Sequence, residues 1–573
     1  MRPHTSKGIA LLIAACLTAS QSAADVTAQE VWSDWKDYLA SFGYKVEATE
    51  SPSGATLSIS NLTMSMALPD GEGDFRIAMD RLDFTEKGDG TVAIEMPASM
   101  PFSLMMKGAN GNDLAVDMTY SHTGLVMLVS GTPGEMAYTY SADSLAVALA
   151  SLQSNGVPVP VRAAQLTLTD IAGQAQLRDA SDKRHSAQTF DAANASWLVA
   201  FDELEKGQPV KMEGALTGLS FMGTAALPQG LDLANMTAAM GAGFAVDSTI
   251  AYATGKQTIS MSDDSGPLTV SSSSQGGDLR VAVNETMLAY SGSGRQAKVE
   301  AAGGMLPIPV SLAMENAGFN LRFPLAKSDE PGDFAFGFDL TNFTMSDMIW
   351  AMIDPTGQLP RDPATLAVDL TGKAKITADM SNPNSMSSSE SPGELHALSL
   401  NTLSLRLAGA DLSGKGAFTF DNSDLTTFDG MPRPTGALDL RLIGGNALLD
   451  KLVAMGLLPE DQAMGARMMM GLFGRMEGED TLTSKIEVTP EGAVLARRLE
   501  AGDDDEDATP LVARSRTYDD RALVVLIDER YTSKMAMQTL IAMGSKKKDR
   551  KEKAGNLDKV SAAIILQSYL ERQ

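Results

Sequence analysis

Ala397-Leu-Ser-Leu-Asn-Thr-Leu-Ser-Leu-Arg-Leu407 sets leucine at mostly every second position, with Ser, Asn, Thr and Arg between. A period of two is the signature of a strand with one apolar and one wet face. Ala55-Thr-Leu-Ser-Ile-Ser-Asn-Leu-Thr-Met64, Leu114-Ala-Val-Asp-Met-Thr-Tyr120 and Gln165-Leu-Thr-Leu-Thr-Asp-Ile171 repeat the pattern. Turn residues separate such stretches, as in Lys87-Gly-Asp-Gly90 and Asn110-Gly-Asn112, which suits hairpin loops. Antiparallel meanders fit this spacing better than βαβ units, whose strands alternate with helices of ten or more residues. The expectation is a mainly β fold with short helices, built as an elongated antiparallel β-sheet body.

Helices are expected at few places. Gln29 to Phe42 is amphipathic, with Val31, Trp32, Trp35, Tyr38, Leu39 and Phe42 at helical spacing. Ser346 to Ile353 reads as a short apolar helix ended by Asp354-Pro355. Asn446 to Met455 and Pro459 to Met476 read as a helical pair, with Pro459 at a first helical position where its missing N–H costs nothing. The run Met464, Met468, Met469, Met470 and Met476 invites a metal reading, but methionine is also a flexible core filler and 34 are spread along the chain. Core is therefore the expectation. A faint repeat joins Asp339-Leu-Thr-Asn with Trp350-Ala-Met-Ile, and Asp439-Leu-Arg-Leu with Val453-Ala-Met-Gly. Each passes from a strand into a short apolar helix.

The formal charge of −26 is unevenly spread. Residues 508–573 carry 13 Lys and Arg against 8 Asp and Glu, an excess of five positive charges, which leaves −31 on the remainder. The acidic part repels nucleic acid and anionic membrane surfaces, so no nucleic-acid partner is expected for it. Cys16 is the only cysteine, so disulfides, cysteine zinc sites and a cysteine nucleophile are excluded from the body. His4, His122, His185 and His396 stand singly, with no His-x-x-x-His pair.

Arg2 and Lys7 precede an apolar run, Gly8 to Leu17, too short to span a bilayer. Ser22-Ala23-Ala24 follows as a small-x-small cleavage pattern, which reads 1–24 as a signal peptide and the mature chain as periplasmic from Asp25. Ile13-Ala14-Ala15-Cys16 also reads as a lipobox, the alternative being a chain lipid-anchored through Cys16. Residues 25–497 then form a β-rich body, long enough for two or more subdomains. Residues 498–519, with the acidic run Asp503 to Asp507, read as a linker.

Asp25-Val-Thr with Val31-Trp-Ser-Asp-Trp-Lys-Asp-Tyr38, Trp350 with Leu359-Pro-Arg-Asp-Pro-Ala-Thr365, and Gly444 with Leu457-Leu-Pro-Glu-Asp-Gln-Ala463 and Thr481-Leu-Thr-Ser-Lys-Ile486 resemble the exported Gram-negative domain-of-unknown-function family 2125. The resemblance covers roughly residues 1–497 and implies no activity. More distantly, the body is similar in architecture to the long periplasmic β proteins of the AsmA-like type, which are associated with lipid handling. That link is one of fold alone. The body holds no Gly-rich phosphate loop, no Gly-x-Ser-x-Gly elbow and no His-Glu-x-x-His, so binding is expected of it before catalysis. It is expected to need no cofactor, and its partner is expected to be an envelope component, lipid among the candidates.

The last segment, 520–573, reads differently. Leu523-Val-Val-Leu-Ile-Asp-Glu-Arg530 is a buried-type strand ending in Asp528-Glu529-Arg530, with Thr532 and Ser533 just after. A helix through Met535 to Met543, a basic loop from Lys546 to Lys553, and a last helix with Asp558 follow. This order resembles the C-terminal half of the YqgF/RuvX family, Holliday-junction-resolvase-like nucleases of pre-16S rRNA. The resemblance implies a ribonuclease H-like fold with three carboxylates holding Mg²⁺ or Mn²⁺ for phosphodiester hydrolysis. Glu529 and Asp558 match the second and third, and Asp528, Arg530, Thr532 and Ser533 belong to the motif. The family's first acidic strand, Gly-x-Asp-x-Gly-x-x-Arg, and its central Leu-Pro-x-Asn-x-Asp-Gly stretch are missing. Two-metal catalysis needs ligands that clamp both ions, so the expectation is an incomplete, inactive nuclease fragment. The alternative is a fusion whose C-terminal segment keeps nuclease activity on nucleic acid.

Overall fold

The computed structural model describes residues 26–41, 43–67, 73–106, 113–180, 182–202, 208–230, 236–263, 265–378, 393–497 and 511–513. Strands hold 67% of the described residues, and the helices among them are few and short, so the mainly β expectation stands. The body is two units, one running to Glu285 with Gly303–Met305, the other holding Thr286–Ala302 and the residues from Leu306 on.

The first unit opens with α1 (Ala28–Ser41), then β1 (Lys45–Ser53), β2 (Thr56–Ala67), β3 (Gly73–Glu86), β4 (Val92–Glu95), β5 (Ser99–Met106), β6 (Leu114–Thr123) and β7 (Val126–Thr132). It continues through β8 (Glu135–Ser154), β9 (Val157–Pro158), β10 (Val161–Ala180), β11 (Lys183–Asp202), β12 (Pro209–Pro228), α2 (Met236–Gly241), β13 (Ala245–Tyr252), β14 (Thr254–Asp263), β15 (Gly266–Ser274) and β16 (Gly277–Val283). The helix α2 has no counterpart in the sequence expectations. The strands pair antiparallel, and long ones take two short neighbours end to end. Thus β8 pairs with β6 along one half and β7 along the other, and β12 does the same with β14 and β13. With 20 residues each, β8, β10, β11 and β12 extend about 66 Å at the usual rise per residue.

A reciprocal cap starts α1. The Glu30 N–H donates to Thr27 Oγ1 at 3.3 Å, and the Thr27 N–H donates to Glu30 Oε2 at 2.9 Å, which satisfies donors the helix leaves open. Its inner side, Val31 and Trp32, is fully buried against Ile59, Leu62, Leu82, Phe84, Val92 and Val129. The Trp35 ring meets Phe84 edge-on at 5.6 Å, a favoured aromatic geometry. Trp32 Nε1 donates to Glu50 at 2.7 Å and Trp35 Nε1 to the Tyr138 hydroxyl at 3.1 Å. This corner is the main core of the unit.

Strict alternation is reset in midstrand. Asn61 has φ +50°, and the pleat steps over it, so Leu57 and Ile59 before it and Leu62 and Met64 after it are all buried in the same cluster. Asp170 in β10 (φ +51°) and Gly218 in β12 (φ +58°) act alike, bringing Leu168 with Ile171 and Leu216 with Leu219 into one apolar cluster.

The second unit runs β17 (Met287–Gly303), β18 (Val310–Pro324), β19 (Gly332–Met345), α3 (Asp347–Ile353), β20 (Ala364–Ile376), β21 (Gly393–Leu407), β22 (Ala410–Asp421) and β23 (Arg433–Ile443). Then come α4 (Gly445–Ala454), α5 (Glu460–Phe473), β24 (Arg475–Met476), β25 (Thr481–Val488), β26 (Val494–Arg497) and β27 (Leu511–Ala513). From β17 to β23 each strand pairs antiparallel with the next, then β23 with β25, β25 with β26 and β26 with β27. The β21–β22 hairpin closes over Ala408 (φ +51°) and Gly409 (φ +85°), the double left-handed geometry of a tight type I′ turn.

The expected helical pair is shorter at its end than the sequence suggested. Glu460–Phe473 is the helix, Pro459 sits just before it, and extended Gly474 leads into β24, so Met476 is a strand residue. Leu482 packs against Gly474, within 3.2 Å of where a Cβ there would stand. Both halves of the faint repeat do pass from strand to helix, β19 into α3 and β23 into α4. Trp350 of α3 and Leu448 of α4 meet in one apolar cluster with Leu359 and Ala408. Asp354 is buried at 1% exposure beneath α3, where the Leu359 N–H donates to its Oδ2 at 2.6 Å. That bond, against the cost of burial, holds the Asp354 carboxyl below its ordinary range.

Candidate binding face

Strand register in the second unit lines up the apolar positions of successive strands. One row reads Tyr290, Leu321, Phe336, Leu370, Leu400, Gly416, Leu438 and Ile486 across eight strands. The next reads Gly292, Phe319, Phe338, Val368, Leu403, Gly414, Leu440 and Ser484. A third reads Gly294, Ala317, Leu340, Leu366, Leu405, Leu412, Leu442 and Leu482. A fourth, Phe334, Gly372, Leu398, Phe418, Gly436 and Val488, flanks them. The four rows hold no charged residue. At ordinary strand spacing they span a footprint of roughly 20 Å by 34 Å.

Two devices keep the rows continuous. In β21 the ladder shifts between Leu400 and Leu403, so Asn401 is an extra residue and both leucines stay on one face. Its side-chain amide donates to Thr371 on the other face at 3.0 Å. At Gly414 the side chains of Leu440 and Leu403 lean into the missing Cβ position, at 2.7 and 3.4 Å. The opposite face is polar: Lys373 pairs with Asp333 at 2.8 Å, and Asn316 donates to Asp339 at 2.6 Å.

This apolar face is half open. Tyr290, Phe323, Phe336, Phe338, Leu366 and Leu405 are 38–44% exposed, and in the rows only Leu482 and Val488, 7% and 8% exposed, are buried. At that end Gly445 of α4 packs on Leu442, and Gly474 after α5 packs on Leu482.

The first unit has a face of the same kind. Tyr140, Gly173, Phe190, Phe221, Ile250 and Leu279 form one row, with Ile250 41% exposed. At its α1 corner the face is closed. Arg184 joins Asp34 of α1 at 2.5 Å and Asp179 at 2.7 Å, with Tyr38 beneath its guanidinium at 5.4 Å. Burial outweighs Arg184 and raises Asp34, whereas Arg184 is raised against its own burial by Asp179 and Asp34. Burial also pushes the Tyr138 hydroxyl up to about 12. These groups anchor a helix and show no reactive geometry. On the polar face of the same sheet, Gln165, Thr167, Ser196, Glu213, Lys256 and Thr258 rim an open groove of about 480 Å³.

Among the described residues no three His, Cys, Asp or Glu side chains gather as metal ligands. His122, His185 and His396 lie on separate strands, and His396 stands 3.4 Å from Glu394. Glu529, Asp558, Asp528, Arg530, Thr532, Ser533 and Cys16 lie outside the described residues. The methionine run departs from its core expectation. Met464, Met468, Met469 and Met476 are 42–63% exposed, and Met470 alone of the five turns inward, its sulfur against Gly445. A methionine-rich stretch at helical spacing cannot say which side of the helix meets the sheet.

A family model described as an uncharacterised protein conserved in bacteria, domain of unknown function 2125, matches residues 238–495, a span that takes in β17 to β25 and hence the apolar rows. A second model, described as Holliday junction resolvase (RuvX), matches residues 509–572. Its match starts just ahead of β27, which joins the edge of the second unit's sheet against β26. Relatives of that segment include proteins named, provisionally, as pre-16S rRNA nucleases. The one from Amoebophilus asiaticus is 65% identical over 43 residues, 8% of this chain and 30% of its own length. That of Flavobacterium psychrophilum is 57% identical over 47 residues, 8% of this chain and 34% of its own. That of Bacteroides thetaiotaomicron is 42% identical over 72 residues, 13% and 51% respectively. The chain thus spans 30% to 51% of the length of these relatives.

Proposed function

We propose that this chain is an exported envelope protein whose body binds the hydrocarbon part of an amphiphile on its apolar sheet face, and whose nuclease-like tail is inactive. The observation that carries the reading is the set of four uncharged rows in the second unit, where Tyr290, Phe336, Phe338, Leu366 and Leu405 are 38–41% exposed although a second sheet or a helical layer would ordinarily bury them. Extended alkyl chains suit such a face, because it offers dispersion contacts and almost no hydrogen-bonding side chains. The Lys- and Asp-bearing opposite face keeps the sheet compatible with water. Export is supported by the leader-like sequence of 1–24, and a lipid-handling role by the likeness to AsmA-like architecture.

The test is native mass spectrometry of the body purified by mild extraction, followed by titration with a fluorescent fatty acid. Co-purified mass of lipid size, or saturable fatty-acid binding lost in Phe338→Asp, supports the reading. A ligand-free protein with no saturable binding sinks it.

For the tail, identity of 42–65% over 43–72 residues argues descent from a nuclease, while the first metal-binding carboxylate has no counterpart in the sequence. Glu529 and Asp558 alone would hold a divalent ion weakly. A working nuclease tail is the rival reading.

A further inference from the structure

We infer that the outward sides of α3 and α5 dock the second unit on a zwitterionic lipid bilayer; this rests on the hydrocarbon-binding reading above and names the surface its ligand would come from. Helices on a protein surface ordinarily turn polar residues outward. Here Met348 and Met352, one turn apart on the side of α3 away from buried Trp350, are 45% and 65% exposed. On α5, Met464 and Met468 are likewise one turn apart and 63% and 42% exposed, while Ala463 faces inward with no exposure. Leu457 between α4 and α5 and Phe473 at the end of α5 add 57% and 38% exposure. Unbranched thioether side chains adapt to an irregular apolar partner, and shallow burial of such side chains is how interfacial helices hold a membrane.

Charge selects the type of surface. Of the cations near these helices, Arg467 pairs with Asp450 and Arg361 with Asp347 at 2.8 Å, while Lys451 and Arg475 are outnumbered by Glu460, Asp461, Glu477 and Glu479. No basic surplus is left there to seek anionic headgroups, and the chain outside 508–573 carries −31. A zwitterionic surface is the one that imposes no electrostatic penalty. Position supplies the rest. α4 and the end of α5 stand where the apolar rows end, Gly445 on Leu442 and Gly474 on Leu482, and Trp350 of α3 joins Leu448 of α4 in one cluster, so a chain drawn from a bilayer at α5 meets the rows directly.

The experiment is flotation of the full chain with phosphatidylcholine vesicles. It is compared with a variant carrying Met348→Ser, Met352→Ser, Met464→Ser and Met468→Ser, whose fold is checked by thermal melting. The wild type is expected to float with the vesicles and the variant to lose at least tenfold of the bound fraction. Both should bind a fluorescent fatty acid supplied from solution equally. Equal flotation of the two, no flotation of the wild type, or tighter binding to phosphatidylglycerol vesicles overturns the proposal. So does a concentration-dependent dimer abolished in the variant without any vesicle binding, which would make the patch a contact between copies. Loss of fatty-acid binding in both proteins, with flotation still lost only in the variant, leaves docking established and removes the hydrocarbon-binding reading instead.

Discussion

Asp34 and Arg184, 150 residues apart, meet at 2.5 Å with side chains only 11% and 15% exposed. The pair fixes α1 to the β10–β11 hairpin. Burial raises the Asp34 carboxyl despite its partner, so the charged pair is a positioning device more than a source of stability. Removing Arg184 leaves Asp34 buried and unpaired. Arg184→Ala should lower stability by about 2 kcal/mol, below the full cost of orphaning a buried charge because solvent still reaches the cluster. Asp34→Asn should cost well under half of that. A raised carboxylate contributes stability below its unfolded pKa and loses it as pH rises through the folded one, so the Asp34→Asn variant should gain ground on the wild type toward neutral pH. Urea melts at pH 4 and pH 7 decide the order.

Asp480 acts in the opposite sense. Burial pushes its carboxyl up, but the Ala447 and Asn446 N–H groups, at 2.8 and 3.0 Å, and the Asn446 side chain outweigh that and lower it. It thereby caps α4 from a neighbouring loop. A lowered carboxylate stabilises above its unfolded pKa, and that contribution disappears as pH falls through the folded value. Asp480→Ala should cost about 1 kcal/mol at pH 7, with the gap in melting temperature closing below about pH 4, the ordinary carboxylate range. A constant gap down to pH 2 would refute the cap.

Asn61 holds φ +50° in the middle of β2. Asn61→Val should destabilise by about 1–2 kcal/mol, the cost of a left-handed conformation for a branched side chain. Asn61→Gly should stay within a few tenths of wild type. Equal stability of both variants would show that the parity reset does not depend on this residue.

Phe338 lies in a half-open row and packs no closed core. Phe338→Asp should therefore cost under about 1.5 kcal/mol, in the range of surface-weighted substitutions, while reducing fatty-acid affinity at least tenfold. Retained affinity would move the ligand elsewhere, with the groove beside Glu213 and Lys256 the next place to search.

For the tail, the full chain with Mg²⁺ or Mn²⁺ should cleave structured RNA and branched DNA no faster than a Glu529→Ala control. Metal-dependent cleavage lost in that control would establish the rival reading, with the missing carboxylate supplied from outside the segment.

The sequence determined the strands. Leucine spacing at Ala397–Leu407 is a local torsional period, and it appears as β21 because side chains alternate in any extended chain. The start of α1 is equally local, since Thr27 and Glu30 close a reciprocal cap within its first turn. Helix ends were less legible: α5 stops at Phe473, and the chain turns through extended Gly474 into β24, which pairs with β25. Register was decided only in three dimensions. Phe319 finds Phe338, and Phe338 finds Val368, through hydrogen bonds between strands and bulges such as Asn401 that no single strand encodes. The same holds for exposure. An alternating strand announces an apolar face, but whether that face is buried depends on a second layer packing over it, and Met464, Met468 and Met469 of α5 face outward because Ala463 and Met470 are the side chains that meet their neighbours.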